Sequence, residues 1–320
     1  MTHSLGLGCW PLSGPMFLDG KSVGYTTCDP KDAAAILDAA YDHGIRLFDT
    51  AQAYGCGYGE RLLGDTLANR DIQIVTKIGL AIDEDTKTIT GPRLDPAQVA
   101  PSVDESRARL RRDVIDVVLL HPNDVPIDSA QAIFAELDAL ADQGKIGAFG
   151  WSTDYPDRAQ AQTSFPRATH VEHVMNVFFD AATLRDATRN AALTHLIRSP
   201  LAMGLLAGRF DDGATLDPDD VRVASHAGMD WFEGTGAHPR FAARLAAIRE
   251  LLQSDGRSLA QGALAWLWAH GPSIVPVPGA SKLSQVIDNA EARAKGPLPA
   301  ETVAEIAALI PTEVWPDKSL

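Results

Sequence analysis

The stretch Ile45-Arg46-Leu47-Phe48-Asp49-Thr50-Ala51-Gln52-Ala53-Tyr54-Gly55-Cys56-Gly57-Tyr58-Gly59-Glu60-Arg61-Leu62-Leu63-Gly64-Asp65-Thr66-Leu67-Ala68 contains one complete structural unit. Ile45 to Phe48 is an apolar run short enough for a buried strand, and Asp49 opens a glycine-rich loop. Gly59 to Ala68 carries apolar residues at helical spacing, and a second apolar run follows from Ile72 to Thr76. A strand, a helix and a strand in this order imply a parallel pair joined by a crossover.

The same rhythm runs outward in both directions. Ile115 to Leu120, Ile146 to Gly150, Val171 to Val177, Leu193 to Ser199 and Ser273 to Pro276 read as further buried strands. Pro30 to His43, Pro96 to Arg111, Ser129 to Gln143, Ser258 to Ala269 and Ser281 to Arg293 read as helices, several opened by Asp, Ser or Pro. Seven or eight such units predict a (β/α)8 barrel, with residues 1–320 as a single domain. The alternative is a doubly wound sheet, which usually carries a GxGxxG turn after its first strand, and none stands in that context here. The long interruption Arg209 to Pro239, after strand seven, reads either as a mobile cover or as an ordered surface excursion.

Composition narrows the function classes. Forty-five per cent hydrophobic and 22% charged residues suit a globular chain, and a formal net charge of −14 disfavours a nucleic-acid partner. No run approaches the roughly 18 to 20 apolar residues of a membrane helix, so a cytoplasmic chain without a membrane partner is expected. The three cysteines, Cys9, Cys28 and Cys56, have neither CxxC nor metal-ligand spacing and read as free thiols. His170, His173 and His195 lack partners at ligand spacing, so no metal is expected, and Trp266 and Trp268 read as helix packing. Nothing in the sequence sets the oligomeric state.

Four polar residues stand at or just beyond the C-terminal ends of consecutive predicted strands: Asp49 and Tyr54, then Lys77, then His121. In a barrel that rim is where catalytic groups converge. A tyrosine with a free pKa near 10 needs a neighbouring cation to exchange protons around neutrality, and Lys77 is placed to supply it. Lys77, in an apolar mouth, needs a carboxylate to stay charged, which suits Asp49. His121 can orient a substrate oxygen or share in proton transfer. The same lysine, if neutral, is also a candidate Schiff-base nucleophile of an aldolase.

Phe48-Asp49-Thr50-Ala51-Gln52-Ala53-Tyr54-Gly55, with Gly57, Glu60 and Gly64, resembles the FDTAxxYGxGxxExxLG signature of the aldo-keto reductase superfamily, and Val75-Thr76-Lys77 and Leu119-Leu120-His121 resemble its lysine and histidine strands. The resemblance implies a catalytic tetrad of Asp49, Tyr54, Lys77 and His121 and reduction of aldehydes or ketones with NADP(H), NAD remaining possible. It assigns Ser152, in Gly150-Trp151-Ser152-Thr153, and Asn176 to the nicotinamide amide, and Phe179 to stacking on the ring. Ser199, Pro200, Leu201, Gly204 and Leu206 fall in its pyrophosphate loop, and Gly279, Ser281, Lys282, Gln285 and Asn289 in its adenosine-phosphate site. Ser281 and Lys282 suit a phosphate, but a lysine without an arginine fork implies a weaker preference for NADP. Trp10, Trp151 and Phe178 are the expected walls of the carbonyl pocket. Some barrels of this kind serve instead as cofactor-binding regulatory subunits of membrane channels, a second reading that the residues leave open.

Overall fold

The computed structural model describes residues 3–26, 28–211, 213–217, 220–223 and 231–311. Eight strands pair in chain order: β1 (Gly6–Gly8), β2 (Leu47–Asp49), β3 (Gln73–Ile78), β4 (Ile115–Leu120), β5 (Ile146–Ser152), β6 (Ala168–Val174), β7 (Thr194–Arg198) and β8 (Ile274–Pro276). Every pairing is parallel. The ring closes through a parallel bridge between Gly8 and Gly279, where the Gly8 N–H donates to the Pro278 carbonyl at 3.1 Å. A side chain at Gly279 would put its Cβ 2.6 Å from Pro11 Cγ, so closure at that point requires glycine.

Helices α1 (Pro30–Asp42), α2 (Tyr58–Leu67), α3 (Val99–Leu110), α4 (Ile127–Asp142), α5 (Pro156–Ala161), α6 (Ala182–Ala187), α7 (Pro239–Leu252), α8 (Leu259–Trp268), α9 (Leu283–Lys295) and α10 (Ala300–Leu309) accompany the barrel. The (β/α)8 architecture is as expected from the sequence. The differences are local. α5, α6, α7 and α10 were not anticipated, nor was a small sheet of Phe17–Leu18, Lys21–Ser22, Leu80–Asp83 and Thr88–Pro92. Strand β6 starts three residues before the expected Val171, a shift with consequences for the site.

Two apolar layers fix which side chains face the centre. Leu47, Val75, Val117, Leu119, Leu196, Val275 and Val277 fill the barrel interior as one cluster. Phe48, Ile74, Val118, Phe149, Trp151 and Ile197 belong instead to the large core shared with the helices. Because side chains alternate along a strand, the next inward positions after these interior residues are Asp49, Lys77, His121 and Arg198. The packed interior therefore forms a floor, and these polar groups stand on it at the C-terminal mouth.

Part of the excursion Arg209 to Pro239 (residues 212, 218, 219 and 224–230) lies outside the described residues. Its described part is anchored. Arg222 pairs with Asp220 at 2.5 Å, donates to the Met203 carbonyl at 3.0 Å and lies 5.4 Å from the Tyr25 ring centre. The excursion thus touches the loops that follow both β1 and β7.

Several histidines are buried as neutral rings. On the helix-facing side of β6 and β7, His173 Nε2 and His195 Nδ1 are 3.1 Å apart. Burial pushes His173 down to about 4 and His195 to about 3, and His170 and His270 are also lowered, each to about 4. A histidine whose folded-state pKa is depressed adds stability above its ordinary value, and that stability is lost as the pH falls through the folded value. His173 alone accounts for roughly 3 kcal/mol across that window. The melting temperature is expected to hold from pH 8 to 6.5 and then to fall steeply toward pH 4, with a shallower fall in His195→Gln. A flat profile down to pH 4.5 would contradict this electrostatic account.

Candidate active site

The loop between β2 and α2 is held from three sides, which fixes Tyr54. Gln52 Nε2 donates to the Ser102 carbonyl at 2.7 Å and to Ser106 Oγ at 2.9 Å, tying the loop to α3. Glu60, fully buried in α2, accepts from Thr76 Oγ1 and Arg109 Nε, each at 2.6 Å, and so joins β3 to α3. Gly57 caps α2 with φ +84°, and a Cβ there would sit 2.8 Å from Glu84 Oε1, so the turn demands glycine. Trp10 stacks on the Tyr54 ring with centroids 5.8 Å apart, and Tyr25 meets Trp10 edge-on at 5.1 Å.

Tyr54, Lys77, Asp49 and His121 come together at the mouth. Lys77, 1% exposed, directs its ammonium to Asp49 Oδ1 at 2.6 Å, the Thr50 carbonyl at 3.0 Å and the Tyr54 hydroxyl oxygen at 3.3 Å. The Tyr54 oxygen accepts from Lys77, which leaves its own O–H free to point elsewhere. The His121 ring meets Tyr54 edge-on at 5.8 Å, and its Nδ1 is buried without a hydrogen-bond partner.

A fifth group joins them that nothing in the sequence reading indicates. Glu172 on β6 places Oε2 3.2 Å from Lys77 Nζ, and neither of its oxygens has a hydrogen-bond partner. Burial pushes Asp49 up to about 7, and Glu172 adds to the rise against the lowering effect of Lys77. Lys77 is held above its ordinary range because its two carboxylates outweigh desolvation. An ammonium so held lacks the free lone pair of a Schiff-base nucleophile. Tyr54 is raised as well: burial outweighs Lys77, contrary to the expectation of a lysine-lowered phenol. Burial, with Lys77 and Arg198 adding to the effect, lowers His121 to about 3, so its ring is neutral. At neutral pH the site therefore offers a protonated phenol and a neutral imidazole.

The model of the Aldo/keto reductase family matches residues 4–311 of the chain. The chain belongs to this family. An uncharacterized oxidoreductase of Mycobacterium tuberculosis is 31% identical over 300 residues, covering 90% of this chain and 83% of the relative. The aldo-keto reductase YhdN of Bacillus subtilis is 28% identical over 294 residues, 88% of this chain and 82% of its own. Among solved structures, the glycerol dehydrogenase of Gluconobacter oxydans superposes with a TM-score of 0.78 at 27% identity, covering 99% and 94% of the two chains. An aldo-keto reductase of Klebsiella pneumoniae in complex with NADPH superposes at 0.70 with 21% identity, covering 100% and 98%.

In this aldo/keto reductase the remaining expected residues divide into two groups. Ser152 ends β5 on an inward position, in register with Glu172. Ser199, Pro200, Leu201, Gly204 and Leu206 lie in a loop with left-handed backbone at Ser199, Ala202, Met203 and Gly204, within which the Ala202 N–H donates to the Ser199 carbonyl and the Gly204 and Leu206 N–H groups donate to the Leu201 carbonyl. Gly279 adjoins Gly8, and Ser281, Lys282 and Gln285 meet at the start of α9, with Asn289 buried one turn on. There Gln285 Oε1 already accepts from the Ser281 and Lys282 N–H groups at 2.9 and 3.1 Å.

Four expectations are corrected. Asn176 lies beyond β6, where its Nδ2 donates to the Ser199 carbonyl at 3.1 Å and its Oδ1 accepts from Phe178 N at 3.0 Å. One N–H and one oxygen lone pair of this fully buried amide are thus engaged in a turn that braces the loop after β7. Phe179 packs edge-on against Trp231 at 6.0 Å and beside Phe241, and so offers no open face for stacking. Phe178 is fully buried against Phe241 at 5.2 Å. Trp151 faces the helices, packed on Phe134 and donating from Nε1 to the Pro122 carbonyl at 2.8 Å. Neither of these last two walls a substrate pocket; Trp10, on the Tyr54 ring, is placed to do so.

Proposed function

We propose that the chain is an NADP(H)-dependent reductase of aldehydes or ketones, with Tyr54 as the proton donor. The observation that carries this reading is the Lys77 ammonium donating to Tyr54 Oη at 3.3 Å, which turns the tyrosine's own proton away from the lysine. Orphaned buried polar atoms at the mouth fit a bound nicotinamide and carbonyl: His121 Nδ1, Trp10 Nε1 and the Glu172 oxygens all lack partners. Ser152, the Ser199 to Leu206 loop, Gly279, Ser281, Lys282, Gln285 and Asn289 would hold the cofactor. When bound, it supplies hydride to the carbonyl carbon.

The protein's part is proton delivery and charge control. The neutral His121 ring can donate an N–H to the carbonyl oxygen and fix its position. Tyr54 then gives that oxygen its proton: the phenol O–H bond breaks, the product O–H bond forms, and a phenolate remains beside the Lys77 ammonium. Water restores the phenol afterwards. The burial of the site strengthens the ammonium–phenolate interaction above its value in water.

The donors at the start of α9 are satisfied by a neutral glutamine, and the cation that stands there is a lysine, Lys282, without the fork of an arginine, so NAD is expected to bind as well as NADP. The reading is tested by following NADPH and NADH consumption over a panel of uncharged aldehydes and ketones. Consumption that depends on the carbonyl compound is expected; binding of cofactor with no turnover across the panel would favour a non-catalytic cofactor-binding role.

A further inference from the structure

Lys77 has three N–H donors, and all three are committed: to Asp49 Oδ1, to the Thr50 carbonyl and to Tyr54 Oη. Glu172, 1% exposed, is therefore a second buried carboxylate on an ammonium with no donor left for it. Its attraction to Lys77 at 3.2 Å is one of charge alone. The local sum is one positive and two negative charges in an apolar mouth, an arrangement that low-dielectric surroundings penalise.

The groups around the cluster do not correct that sum. From β1, the Cys9 thiol is held neutral, pushed up by burial and Asp49. From β4, His121 is neutral. From β5, the neighbour in register is the neutral Ser152. From β7, Arg198 is bound to the Asp154 carboxylate. In the cofactor-free protein, where the Glu172 oxygens have no donor, taking up a proton relieves the excess negative charge.

We propose that Glu172 is a positioning residue whose charge makes the Asp49–Lys77–Glu172 cluster bind one extra proton, and that this proton governs how readily Tyr54 releases its own. The inference rests on the reductase reading of the site. With the extra proton bound, the cluster is neutral, and transfer from Tyr54 to the carbonyl oxygen leaves a phenolate with a single net negative charge. Without it, the same transfer leaves two. Each step moves one proton: Tyr54 O–H breaks as the product O–H forms, and the cluster proton stays on its carboxylate. Reduction is therefore favoured while the cluster is protonated and slows as the pH rises through its titration, which the raised Asp49 places about pH 7. The reverse oxidation, which needs Tyr54 as a base, is favoured on the alkaline side.

Two measurements on the full chain test this. The first is the pH profile of carbonyl reduction in the wild type and in Glu172→Gln. The wild-type kcat is expected to fall on the order of 10-fold between pH 6 and 8, and the variant, which lacks the second charge, to change less than about 3-fold. Glu172→Asp is expected to restore the wild-type shape. The second is infrared pH-difference spectroscopy of the cofactor-free protein, in which a protonated-carboxyl band should titrate about pH 7 in the wild type and shift to lower pH in Glu172→Gln. Identical pH profiles or an unshifted band in the variant would overturn the proposal. If no carbonyl compound is turned over, the reductase reading fails by itself, while the infrared band still decides whether the extra proton exists.

Discussion

Replacing Tyr54 by phenylalanine should cut turnover by roughly 10² to 10⁴ while leaving cofactor affinity within a few-fold of the wild type. In the proposed mechanism the hydroxyl faces the carbonyl, whereas the ring packs on Trp10 and against His121. Phenylalanine keeps that packing. It also removes the acceptor of one Lys77 donor, a loss of about 1 kcal/mol in stability that leaves the fold intact. Stopped-flow reduction at saturating carbonyl, alongside cofactor titration by fluorescence, separates the two effects. Wild-type turnover in Tyr54→Phe would remove the tyrosine from the chemistry. Loss of cofactor binding in step with turnover would recast Tyr54 as a binding residue.

Lys77→Met should be the more damaging change for stability, and its cost should depend on pH. The substitution takes the only ammonium in the cluster away from Asp49 and Glu172, which are 4% and 1% exposed. Breaking a buried ion pair by removing one partner costs about 3 to 5 kcal/mol when the orphan stays charged. Here the orphans are carboxylates, which can protonate instead. Asp49, already raised by burial, then loses the lowering effect of Lys77, so stability is retained at low pH and lost as the pH rises through its raised value. Urea unfolding should show a small difference from the wild type at pH 5.5 and the full deficit at pH 8.5. An equal deficit at both values would mean that Lys77 acts through packing and not through charge.

The residues that proved legible in the sequence are those whose placement follows from strand ends alone. Asp49, Lys77 and His121 each stand two residues beyond an interior apolar residue, Leu47, Val75 and Leu119, on strands the apolar runs delimit well. Tyr54 could be placed because its loop is short and glycine-rich. The run from Val171 to Val177 is different. It is apolar at Val171, Val174, Met175 and Val177, on both faces of a strand, so periodicity cannot set its frame. The strand begins earlier, at Ala168, because Ala168 and His170 pair with Phe149 and Gly150 of β5, with a register shift between them at Thr169. The family resemblance points to Asn176, which lies beyond the strand's end, whereas Glu172 is an acid in mid-strand whose only signal is its parity with the interior face.

Trp151 and Phe178 failed as pocket walls for a related reason. Strands in a closed barrel are buried on both faces, so an aromatic at a strand end has equal sequence grounds for facing the mouth or the helices. Only the assignment of Leu119 to the interior and Phe149 to the outer core decides it. The contact of Arg222 with Met203 and Tyr25 depends on a chain crossing between distant segments and leaves no local signature.

Delivery of hydride and a proton to a carbonyl group is the chemistry proposed for this site. It is tested most directly with NADPH carrying deuterium at the transferable position of the nicotinamide and a simple aldehyde, with the alcohol analysed by mass spectrometry and NMR. One deuterium on the carbinol carbon, formed by the wild type and lost with Tyr54→Phe, is the predicted result. An alcohol without deuterium, or no alcohol from any carbonyl compound while NADPH stays bound, would contradict it.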